Sequence, residues 1–275
     1  MYRLHYSYFL GAVQSLREGA TPPSSTQQAS NWHDLAPLLR PGLVNYRFIV
    51  LIWTMPSRNA RKYYIPNGYY HIYNRGVEKR SIFTSTQDYN VFTKYLKEYL
   101  LPKDREMLMS IIANPYSEAA EKDKAASLLR LNNFHNQVQL IAYCLMPNHF
   151  HFLIKQNAHN SIDQFMNSLG TRYTMYFNKC HVRVGHLYQG VYKAVEVESD
   201  EYLLHLTRYI HKQAVNTSGS PQPSSYECFL GVSNKEWVRP KEILKFFSGK
   251  HSMKYEEFMN QEESLDLSKL VLEDE

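Results

Sequence analysis

The sequence predicts an α+β domain, a ferredoxin-like β-α-β-β-α-β sheet with an added C-terminal helix. Three observations point there. Residues 138–145 and 149–155 are apolar runs around Met146-Pro147-Asn148, the pattern of a β-hairpin. Residues 88–101 and 162–177 each carry an apolar stripe at helical spacing, one on either side of that hairpin. A short alternating run precedes the first helix and another follows the second, which completes the ferredoxin-like order.

Taken in order, residues 1–54 read poorly as a domain. Thr21-Pro22-Pro23-Ser24-Ser25 is loop-like, and periodicity is weak on both sides. Met55-Pro56-Ser57-Arg58 then leads straight into the first strand, so the expectation is Met55 as initiator with 1–54 a non-domain start-site artefact, and the rival reading is a genuine extension with its own role. The domain spans 55–215. Its first strand is 69–74, and the helix after it presents Val91, Phe92, Tyr95, Leu96 and Tyr99 to a core. Residues 113–133 are expected as a helical insertion. The second helix buries Ile162, Phe165, Met166, Leu169, Tyr173, Tyr176 and Phe177. Residues 187–197 are expected as the last core strand. Ser199-Asp200-Glu201 opens the added helix, with Ser199 as N-cap and acids in the first turn. Residues 216–275 are expected as a linker, a small helical segment over 240–247, and an acidic tail.

The chain of 275 residues is long enough for one domain with appendages, and 44% hydrophobic content supports a core. Net charge is +5, with Arg58, Arg61, Lys62, Arg75, Lys79 and Arg80 grouped around the first strand and acids gathered at the C-terminus. A basic region of this kind suits a polyanion. Its plain alternative is a solvated basic loop. Aromatics make up 14% of the chain; beyond packing, such rings can stack on unpaired bases. Cys144, Cys180 and Cys228 have no paired spacing, which argues against a disulfide framework and suits a reducing cytoplasm. The apolar run at 48–53 is far too short for a bilayer, so no membrane association is expected.

Side chains that carry chemistry concentrate on two elements. His149 and His151 alternate with Phe150 and Phe152, so the two imidazoles share a strand face about 6.5–7 Å apart at the backbone. Such a pair can converge on a divalent ion. The alternative is two half-exposed histidines without a ligand. On the added helix, His205, Tyr209 and Gln213 recur every four residues and form one stripe. A phenol can attack a phosphodiester, and the amide oxygen of Gln213 can complete a metal site with the imidazoles. That donor set suits Mg²⁺ or Mn²⁺ better than zinc, since it holds neither thiolate nor carboxylate. His205 is a further candidate proton acceptor or ligand, or an ordinary packing residue. Asn148 either orders the hairpin turn or touches the ligand.

Four segments in order carry a resemblance. They are Ile65-Pro66-Asn67-Gly68-Tyr69-Tyr70-His71-Ile72-Tyr73-Asn74-Arg75-Gly76, Tyr143-Cys144-Leu145-Met146-Pro147-Asn148-His149-Phe150-His151, Leu187-Tyr188-Gln189-Gly190-Val191-Tyr192-Lys193-Ala194, and Arg208-Tyr209-Ile210-His211-Lys212-Gln213. Together they resemble the HUH-type tyrosine transposases, both the single-strand insertion-sequence transposases and the REP-associated tyrosine transposases. Gln213 is similar to the former branch, and the stretch from Ser224-Ser225-Tyr226 to Gly231 to the latter. Val191 stands where family members often carry arginine. The resemblance implies a metal-dependent enzyme that cuts and rejoins single-stranded or hairpin DNA, with Tyr209 as nucleophile forming a 5′-phosphotyrosine. It implies Mg²⁺ or Mn²⁺ on His149, His151 and Gln213, and DNA contacts from Arg75, Lys79, Arg80 and Asn148. A homodimer and a monomer both fit. The rival readings of the same residues are a phosphodiesterase that uses water and a non-catalytic nucleic-acid-binding module.

Overall fold

The computed structural model describes residues 62, 64–215, 220–249 and 253–261. The expectations for the 1–54 extension, the Met55 start, Arg58, Arg61 and the acidic tail lie outside these residues. Four strands form one antiparallel sheet: β1 (Tyr69–Arg75), β2 (Val138–Met146), β3 (His149–Gln156) and β4 (Lys193–Val197), in the order β2-β3-β1-β4. Helices α1 (Thr86–Leu100) and α4 (Ser161–Cys180) fill the two crossovers, and α5 (Asp200–Val215) follows β4. This is the expected ferredoxin-like plan with one helix added.

Side-chain alternation divides the core into two layers. One face of the sheet sends Tyr70, Ile72, Phe150, Phe152 and Ile154 into α1 and α4, where they meet Phe92, Leu96, Phe165, Leu169 and Tyr173. The other face sends Leu153 and Cys144 against Leu203, Leu206, Ile210 and Ala214 of α5. A bulge in β2 between Leu140 and Ala142 lets one strand serve both layers. Leu140 and Tyr143 then point to the first layer, Ile141 and Cys144 to the second. The N-terminus of α1 is closed by a capping box: Ser85 Oγ accepts from the Asp88 amide and the Asp88 side chain accepts from the Ser85 amide.

Two expectations are corrected. The insertion between α1 and β2 is two helices, α2 (Arg105–Ala113) and α3 (Ala119–Arg130); Asp104 Oδ1 accepts from the Met107 amide at the start of α2, and Glu121 Oε2 accepts from the Glu118 amide at the start of α3. The last strand is regular only from Lys193. Residues 187–192 reach β1 through an isolated bridge, Gly76 to Tyr188, because Leu187 and Tyr192 must turn into the core around exposed Gly190. Ser199 does cap α5, its Oγ accepting from the Tyr202 amide at 3.2 Å.

The segment after α5 is built onto the sheet. The Leu145 amide donates to Pro223 O, the Ser225 amide to Tyr143 O and the Arg239 amide to Leu140 O. These bonds cover the outer edge of β2, which would otherwise present unpaired backbone groups. Three short helices follow α5, namely α6 (Tyr226–Phe229), α7 (Lys241–Leu244) and α8 (Tyr255–Asn260). Among the described residues, no helix is long and apolar enough to cross a membrane.

Candidate active site

The site forms where β1 and β3 face α5. The register pairs Tyr73 with His151 and Arg75 with His149. His71, Tyr73 and Arg75 therefore share a face with His149 and His151. The rings of His149 and His151 lie 4.9 Å apart and nearly perpendicular. His149 is half-buried and His151 is 5% exposed. Burial, reinforced by the Arg75 charge, pushes the His149 imidazole down to about 4. Burial together with His71 and His149 holds His151 well below the ordinary range. Both rings are neutral near pH 7, the state a metal ligand requires.

Asn148 Oδ1 lies 2.6 Å from Nδ1 of His149. A carboxamide oxygen only accepts, so His149 carries its proton on Nδ1 and its Nε2 holds the lone pair. The Asn148 amide also donates to Lys79 O at 3.3 Å. Asn148 thus orients a histidine and ties the hairpin turn to the loop after β1. That loop is laced down further: the Gly76 amide donates to Asn148 O, and the amides of Ile82 and Phe83 both donate to Pro147 O. Gly76 is obligatory here, since a Cβ on it would meet Arg80 O at 2.2 Å.

Tyr209 stands edge-on to the histidines from α5. Its ring centroid is 5.6 Å from that of His151 and 6.4 Å from that of His71. Gln213 follows one turn later on the same stripe and is half-buried. His205 Nδ1 lies 2.8 Å from Arg208 Nη2, and its ring packs edge-on against Phe258. It serves the packing of α5 on α8. The neighbouring His211 is fully buried, with Nδ1 2.7 Å from Tyr255 Oη and Nε2 2.8 Å from Ser225 Oγ.

The basic candidates gather at the His149 end. Arg75 donates to Gln189 Oε1 from Nε and Nη2. Lys79 is exposed, and Arg80 pairs with Glu78 at 3.4 Å. Sequence reasoning assigned no site role to His71, Tyr73 or Lys193. His71 is fully buried with Nε2 2.9 Å from His151 Nδ1. Tyr73 stacks on both His71 and His151, and Lys193 Nζ lies 5.7 Å from the Tyr73 ring centre. The signal was present in the i, i+2, i+4 spacing of His71, Tyr73 and Arg75, but it has meaning only once β1 is known to pair with β3.

Among the described residues, one group of three His, Cys, Asp or Glu side chains brings all its ligand atoms within 4.8 Å: Asp88, Cys180 and His181. It sits in the α1/α4 layer, across the sheet from Tyr209. The Asp88 carboxylate there already accepts from the Thr84 amide, Thr84 Oγ1, the Ser85 amide, Tyr176 Oη and His181 Nε2. It is occupied as the cap of α1.

Comparison with known proteins agrees with the pattern of side chains. The family described as IS200-like transposase matches residues 114–213, a stretch that holds both histidines, Tyr209 and Gln213. No curated protein matches the chain. Among solved structures, a REP-associated tyrosine transposase bound to a REP hairpin is similar at 12% identity, covering 66% of this chain and 97% of its own, with a TM-score of 0.41. A putative transposase from Deinococcus radiodurans is similar at 17% identity, covering 58% of this chain and 98% of its own, with a TM-score of 0.23. The fold assignment rests on the chain's own strand order, and residues 114–213, which hold the histidine pair and the tyrosine helix, are similar to the IS200-like transposase family.

Proposed function

We propose that the protein cuts and rejoins single-stranded DNA through a covalent bond between Tyr209 and a 5′-phosphate. The observation that supports this most is the placement of the Tyr209 ring 5.6 Å from that of His151 on the facing strand. The donor set fits a divalent cation: two neutral imidazoles, one of them shown by Asn148 to hold its lone pair on Nε2. His149, His151 and the side-chain oxygen of Gln213 would hold Mg²⁺ or Mn²⁺, which supplies charge neutralisation on the scissile phosphate.

This chain's own residues do the rest. Tyr209 Oη attacks phosphorus and loses its proton. The bond from phosphorus to the 3′ oxygen breaks, and that oxygen takes up a proton as a free 3′-hydroxyl. The phosphotyrosine conserves the bond energy, so attack by a 3′-hydroxyl in the reverse sense rejoins strands without ATP. Arg75, Lys79 and Arg80 offer positive charge to the phosphates flanking the site. Tyr73, stacked against His71 and within reach of Lys193, offers a face at the same site for an unpaired base.

The test is incubation of wild type and Tyr209→Phe with a hairpin oligonucleotide carrying a single-stranded flank and Mn²⁺, followed by a denaturing gel and peptide mapping. Wild type is expected to form an adduct on the peptide that contains Tyr209, and the variant none. An adduct in Tyr209→Phe moves the nucleophile elsewhere. Cleavage by wild type without an adduct overturns the covalent mechanism in favour of a hydrolytic phosphodiesterase.

A further inference from the structure

We infer that His71 is the positioning residue for His151: it accepts the Nδ1 proton of His151 and so presents that ring's Nε2 to the cation. The inference rests on the metal reading above and adds a residue from a different strand. On the sheet, His71 pairs with Leu153, so it is the diagonal neighbour of His151 on the same face. Its Nε2 lies 2.9 Å from Nδ1 of His151, with the two rings 19° from parallel.

Two neutral imidazoles in such a bond place the proton on one of the two facing nitrogens. If His71 donated, His151 would carry its proton on Nε2 and could not ligate through that atom. If His151 donates, its Nε2 lone pair is free. His149 is already in this form, because Asn148 Oδ1 can only accept from its Nδ1. The two histidines of the pair are therefore held alike, one by Asn148 from the hairpin turn and one by His71 from β1. Ligating histidines commonly donate their second ring N–H to a carboxylate or carbonyl oxygen. Here a fully buried imidazole takes that place for His151. His71 is not itself a third ligand. Its Nε2 is engaged with His151, and among the described residues the three imidazoles do not bring one nitrogen each within 4.8 Å of one another. The ring of His71 also meets that of Tyr209 edge-on, with centroids 6.4 Å apart.

The experiment reads the metal-free protein first. In ¹⁵N-labelled wild type, two-bond ¹H–¹⁵N correlation is expected to show His151 with a protonated Nδ1 and a bare Nε2. His71→Leu keeps apolar bulk but removes the acceptor, and should shift His151 toward a mixture of tautomers. His71→Gln keeps an acceptor oxygen at the ε position and should preserve the wild-type tautomer. Mn²⁺ titration by calorimetry is the second readout. His71→Leu should lose about 10–100-fold in affinity, with His71→Gln within about threefold of wild type. A bare Nδ1 on His151 in wild type overturns the inference outright. So does Mn²⁺ binding by a folded His71→Leu as tight as that of wild type. Wild type with the expected tautomer but no Mn²⁺ binding overturns the metal function while supporting the bond to His71. Should His71→Leu fail to fold, the wild-type tautomer and the behaviour of His71→Gln decide the matter.

Discussion

His149 and His151 differ in how much each can lose. His149 sits half-buried at the mouth, while His151 lies beneath it against His71 and Tyr73. Replacing either with alanine is expected to abolish Mn²⁺-dependent cleavage. Only His151→Ala should also lower stability, by about 1–3 kcal/mol, because it orphans a buried imidazole nitrogen. Urea unfolding alongside a cleavage assay checks both, and cleavage by wild type in excess EDTA would remove the metal role. The pairing of these two histidines was legible because strand alternation is local. His71 was not legible as a site residue, since its bond to His151 spans eighty positions of sequence and depends on a register that the sequence does not spell out. For His205 the contacts fit the packing alternative that the sequence left open. Four residues before Tyr209, it has the right helical spacing, but α8 brings Phe258 onto that turn and claims the ring.

At the scale of single elements, α1 and α5, on opposite faces of the sheet, are each held by buried polar groups. Burial alone would raise the Asp88 carboxyl, but bonds from the Thr84 amide, His181, the Thr84 hydroxyl and Tyr176 outweigh it and hold the group below its usual range. A lowered carboxyl contributes stability above its unfolded value near 3.8, and that contribution is lost as pH falls through the folded value. Asp88→Asn is therefore expected to destabilise the protein at pH 7 by about 1–3 kcal/mol. The gap from wild type should shrink as pH falls below about 4, read from urea midpoints across pH. On the other layer, α5 is fastened to the C-terminal segment. His211 bridges Tyr255 and Ser225, Arg208 donates to Phe258 O, and Lys212 donates to Gln261 O. His211→Ala leaves a buried serine and a buried tyrosine hydroxyl without this partner. The expected cost is about 2–4 kcal/mol, with reduced cleavage because the Tyr209 helix loosens. His211→Gln can restore one bond and should recover part of both. Helical spacing made α5 and its apolar face readable from the sequence. The fastening was not, because it joins α5 to Ser225, Tyr255, Phe258 and Gln261 further along the chain, partners that helical spacing does not name.

Across the whole molecule, the question is whether one chain holds a complete site. Tyr209 faces the histidines of its own sheet, and Leu203, Leu206, Ile210 and Ala214 of the same helix are buried against that sheet. Withdrawing α5 without docking it on an equivalent sheet would expose these side chains, at about 1.5–3 kcal/mol for each of the three larger ones. It would also break the bonds from Arg208, His211 and Lys212 to the C-terminal segment. Those costs together approach the whole stability of an ordinary domain of about 5–15 kcal/mol. With its contacts made within one chain, α5 is expected to serve the site of its own chain. Mixing Tyr209→Phe, which keeps its histidines, with His151→Ala, which keeps its tyrosine, should therefore yield no more covalent adduct than either variant alone. Wild-type activity per mole should stay constant on dilution, with light scattering reporting the mass at each concentration. Recovery of adduct in the mixture to a sizeable fraction of wild type would show that a tyrosine from one chain reaches the histidines of another, and that the contacts of α5 exchange between chains.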